Sequence, residues 1–131
     1  RRGGGSRGGG WGAERWGMRA AGGGVRTGRM MRGCPEGARQ SGPTIDGVFD
    51  GTAYLASKTN APIIPIGIAG TEAAMGSGTR GIRRVRCAVV VGEPIEPPEG
   101  RMSRPALAEF SAEVAEALQT VFDEAQALAD A

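Results

Sequence analysis

Histidine is absent from all 131 residues. With it goes the side chain that titrates nearest neutrality, which is the commonest general base and the commonest metal ligand. Cysteine is scarce: Cys34 and Cys87 are the two in the chain. Two thiols make neither a disulfide framework nor a metal cluster, so no metal is expected and both are read as reduced thiols of a cytosolic protein. Long apolar runs are missing too, none approaching the roughly 18 residues that cross a bilayer. The N-terminal arginines are followed by no apolar core, which excludes a secretory signal at this position. A chain of this length supports one core rather than two.

What is present is unevenly distributed. Residues 1–32 hold eight arginines and one acid, Glu14, a balance of +7; from Gly33 onward eight Lys/Arg face thirteen Asp/Glu, a balance of −5, and the two add to the net +2. Thirteen of the first 33 residues are glycine, and Trp11, Trp16, Met18, Val25, Met30 and Met31 follow neither a two-residue nor a 3.6-residue period. Such a segment exposes too little apolar surface to offset the entropy of ordering glycine-rich backbone, so residues 1–33 are expected to be disordered. Two other readings attach to it. Arginine, glycine and scattered tryptophan can bind single-stranded nucleic acid through phosphate contacts and stacking, although "RGGGSRGGGW" does not recur. Gly/Arg-rich sequence is also what a GC-rich gene yields when translated in the wrong frame.

Beyond residue 42 the chain becomes regular. The spacing of Phe49, Ala53 and Ala56, joined by Leu55, predicts a helix in Val48–Thr59 that "NAP" ends, because Pro62 cannot continue it. "PIIPIGIAG" and "VRCAVVVGEPI" are apolar and β-branched, and their near-continuous character predicts strands covered on both faces. Between them "GTEAAMGSGTRGIRR" has the composition of a loop, with one helical turn over Ala73–Met75. Last comes an amphipathic helix: Ser103 caps it, Arg104 and Pro105 enter it, and Leu107, Phe110, Val114, Leu118, Val121, Ala125 and Leu128 recur every three or four residues. Its other face carries Glu109, Glu113, Glu116, Asp123 and Glu124, the wrong charge for an anionic membrane surface. Alternating strand and helix makes residues 34–131 an α/β region.

The stretch "CPEGARQSG", Cys34 to Gly42, sets Glu36 and Arg39 three residues apart beside a proline and a glycine. On spacing alone this is a surface turn with a local ion pair, worth little energy. Together with "FDGTAYLASKTNAPIIPIGIAGTEAAM" and "VVVGEPI", however, it resembles the C-terminal half of the phospholipid/glycerol acyltransferase family, best known for 1-acyl-glycerol-3-phosphate acyltransferases. Pro35, Glu36, Gly37 and Arg39 match the family's Phe-Pro-Glu-Gly-Thr-Arg-Ser block; Pro62, Ile63, Ile64 and Pro65 match an apolar block built around two prolines; Gly92 to Ile95 match a Gly-Glu-Pro-Ile strand ending. Cys34, Ala38 and Gln40 stand where the family has Phe, Thr and Ser.

The resemblance implies a partial glycerolphosphate-acyltransferase-like sheet with flanking helices. It implies a substrate site in which the Arg39 guanidinium grips a phosphomonoester. Glu36 accepts from a glycerol hydroxyl or holds Arg39, Gly37 lets the ligand approach the backbone, Pro35 stiffens the turn, and Pro62–Pro65 pack beside it. The implied partners are a lysophospholipid acceptor, an acyl-thioester donor (acyl-CoA or acyl carrier protein) and, for the full-length family member, the membrane surface; no cofactor is implied. The implied location is the cytoplasm, peripheral at the inner face of the membrane. Arg80, Arg83, Arg84 and Arg86 could meet phosphate or headgroups, with solvated loop arginines as the simpler account.

The family's reaction needs a base, because an alcohol is a poor nucleophile until its proton is removed during attack on the thioester. A His-x-x-x-x-Asp block supplies it in the family, and the place upstream of Pro35 where that block belongs holds the Gly/Arg segment instead. The chain as given is therefore expected to be a truncated acyltransferase domain with no catalytic residue of its own, inactive and marginally stable. Two alternatives stay open: a non-catalytic lipid- or phosphate-binding module, and nucleic-acid binding through the N-terminal segment.

Overall fold

The computed structural model describes residues 22–34, 50–75 and 84–131. The chain divides into two units, Arg1–Arg32 and Gly33–Ala131. In the first, residues 22–26 make a helical turn, closed by Thr27, whose hydroxyl donates to the Gly24 carbonyl at 2.9 Å. Local order at this glycine-rich point departs from the expectation for the segment: the Gly24 carbonyl accepts from the Thr27 and Arg29 N–H groups at 3.1 and 2.9 Å, and the Thr27 hydroxyl adds a third bond to it. Met30, which follows, is almost fully exposed.

The second unit contains, in order, α1 (Gly51–Thr59), β1 (Ile66–Ala69), α2 (Thr71–Met75), β2 (Ala88–Val91) and α3 (Arg104–Asp130). The predicted helix over 48–59 is seen from Gly51, with Ala53 and Ala56 buried; Val48 and Phe49 lie outside the described residues. Asn60 ends it in the left-handed region at φ 51°, a conformation asparagine tolerates better than most residues, and Pro62 follows. Ser103 caps α3, its Oγ accepting from the Ala106 N–H at 3.3 Å. The predicted apolar stripe faces inward as far as Ala125, while Leu128 is exposed because the helix outruns what it packs against.

The core lies where α1 crosses α3. Ala53 and Ala56 meet Phe110 and Val114 there, with Ile63, Ile95, Met102, Leu107 and Leu118 packed around them. Burying a side chain such as Phe110 or Val114 contributes about 1.5–3 kcal/mol each, and the small alanines let the two helices approach. Near the end of α3, Arg86 donates from its guanidinium to the Ala131 carbonyl, placing a cation at the negative end of the helix.

β1 and β2 form an antiparallel pair with Ile66 opposite Val91, Gly67 opposite Val90, Ile68 opposite Val89 and Ala69 opposite Ala88. α3 covers one face: Gly67 and Ala69 are buried, Val90 and Ala88 half-buried. On the other face Ile66, Ile68, Val89 and Val91 are exposed. This corrects the expectation of strands covered on both faces. The near-continuous apolar run is real, but three of the four members facing α3 (Gly67, Ala69 and Ala88) are small enough to admit a helix, and no described element lies over the large ones on the other face.

Candidate functional site

Ile63, in the predicted packing block Pro62–Pro65, turns to the core and makes an antiparallel bridge with Ile95: each donates its N–H to the other's carbonyl, at 2.9 and 2.7 Å. Ile64 points the other way and is exposed, as is Pro62. Pro65 is buried and its carbonyl accepts from the Gly92 N–H at 2.9 Å. Ile63 and Ile66 are three positions apart whereas their partners Ile95 and Val91 are four apart, so the second strand carries one extra residue. A bulge of this kind re-aims the residues beyond it, and here it turns Ile95 into the core.

The two motifs thus meet, Pro65 against Gly92, beneath α3. A Cβ on Gly92 would lie 2.7 Å from Val121 Cγ1 and 2.9 Å from Pro65 Cγ, so the glycine is what lets the "GEPI" segment pass under the helix. Gly67 is tighter still: a Cβ there would sit 2.2 Å from the Val121 carbonyl oxygen. Neither glycine was singled out for packing from the sequence. The available signal was a glycine inside each β-branched run, which marks a bulge or a close backbone approach.

An open groove of about 690 Å³ runs between the end of β2 and α3, with Pro65, Gly92 and Val121 in its lining. Glu93 and Glu96 enter it from the strand side, Glu113, Glu116 and Glu124 from the helix, and among the described residues no lysine or arginine lines it. Five carboxylates gathered there repel an anion, so the described lining is unsuited to a phosphomonoester. The acidic residues of α3, assigned from sequence to the face opposite its apolar stripe, are exposed, and the "GEPIEPPE" turn brings two more beside them.

Pro35, Glu36, Gly37 and Arg39, the substrate-binding residues implied by the resemblance, fall in 35–49, outside the described residues; Arg80 and Arg83 fall in 76–83, also outside. Arg84 and Arg86 are described and exposed, and Arg86 is engaged at the end of α3 rather than in a pocket. Cys34, adjacent to the motif, and Cys87 are free, exposed thiols. Among the described residues no group of three His, Cys, Asp or Glu side chains is placed to hold a metal ion, and no helix is long and apolar enough to cross a membrane.

No protein-family model matches the chain, and no curated protein matches its sequence significantly. A solved structure does: the 1-acyl-sn-glycerophosphate (LPA) acyltransferase PlsC from Thermotoga maritima, with a TM-score of 0.65 and 23% sequence identity over 82% of this chain. The match spans 43% of that protein's chain, so the likeness concerns less than half of it. At this identity the comparison speaks to fold, and in fold the chain is similar to part of a 1-acyl-sn-glycerophosphate acyltransferase.

Proposed function

We propose that residues 34–131 are the acceptor-binding part of an acyltransferase domain that works on lysophosphatidate in phospholipid synthesis. The observation that carries this reading is the coincidence of two independent likenesses: the ordered motifs "PEGAR", "PIIP" and "GEPI", and the partial fold match to PlsC. In this reading Arg39 holds the acceptor phosphate through paired N–H···O bonds. Glu36 orients the glycerol hydroxyl or the guanidinium, Gly37 admits the headgroup to the backbone, and Pro35 stiffens the turn. The bulged segment around Gly92 supports the Pro62–Pro65 block from below. The donor is an acyl thioester, and the protein acts in the cytoplasm, peripherally at the inner face of the membrane.

Transfer itself requires a base on the acceptor hydroxyl, and the 131 residues contain no histidine to serve. The chain alone is therefore proposed to bind without turning over. The test is a titration of the chain with lysophosphatidate, read by calorimetry, beside an acyl-transfer assay with acyl-CoA. Saturable binding that weakens about tenfold or more in Arg39→Ala, the effect of losing one charge-assisted hydrogen-bond pair, is the expected result. Acyl transfer above a Glu36→Ala/Arg39→Ala control would overturn the inactive reading, and binding indifferent to Arg39 would overturn the acceptor assignment.

A further inference from the structure

We draw no further inference here: the strongest candidate, the open groove between the end of β2 and α3 with Glu93, Glu96, Glu113, Glu116 and Glu124 along it, rests on a cluster of exposed carboxylates alone, and nothing among the described residues shows what would occupy it.

Discussion

The two faces of the β1–β2 sheet use the same backbone for opposite ends. Toward α3 the strands present Gly67, Ala69, Ala88 and Val90, and the helix backbone comes so close that at Gly67 even a methyl group has no room. Away from α3 they present Ile66, Ile68, Val89 and Val91 to open space. Three of the four covered residues are thus small, with Val90 opposite Gly67 as the exception, and all four on the uncovered face are large, the reverse of what hydrophobicity alone suggests. The lesson is that a helix seated directly on a sheet gains its contact from close backbone approach and from its own side chains, Val121 and Ala125, rather than from bulk on the strands.

The contrast can be broken most forcefully at Gly67. Gly67→Ala must push the Val121 peptide away and should destabilise the second unit by about 3 kcal/mol, the upper end of overpacking costs, read as a lowered midpoint in thermal or urea unfolding. Gly92→Ala collides with the side chains of Val121 and Pro65 instead of backbone. Side chains can yield, so a loss of about 1–2 kcal/mol is expected in the same assay. Ser111 tests the helix side from within: its hydroxyl is buried with no hydrogen-bond partner among the described residues. Ser111→Ala should therefore raise stability by up to about 1 kcal/mol, by removing an unsatisfied polar group. On the uncovered face Ile66→Thr should change unfolding by less than about 0.5 kcal/mol in the same assay. A large loss there would mean that the face is covered within a single copy and would erase the comparison.

The proposed acceptor site divides in a similar way. Pro35, Glu36, Gly37 and Arg39 were legible as a motif, since they are neighbours in sequence and their chemistry, a planar cation beside a carboxylate and a glycine, is local. The block Pro62–Pro65 was legible as apolar but not as to direction. Ile63 enters the core while Ile64 faces out, and Pro65 supports Gly92, because a single extra residue in the facing strand sets the register. The acidic groove could not be foreseen, since Glu93 and Glu96 meet Glu113, Glu116 and Glu124 only when the strand end lies along the helix.

Sequence by itself determined the elements whose causes are local. α3 follows from a 3.6-residue apolar period and a serine cap, the end of α1 from an asparagine and a proline, and the two strands from short β-branched runs. Tertiary structure alone decided that the strands pair antiparallel, which of their faces α3 covers, and where the bulge falls. A residue's own chemistry and its near neighbours set its backbone preference, whereas burial and register depend on elements tens of residues away whose approach is settled by packing.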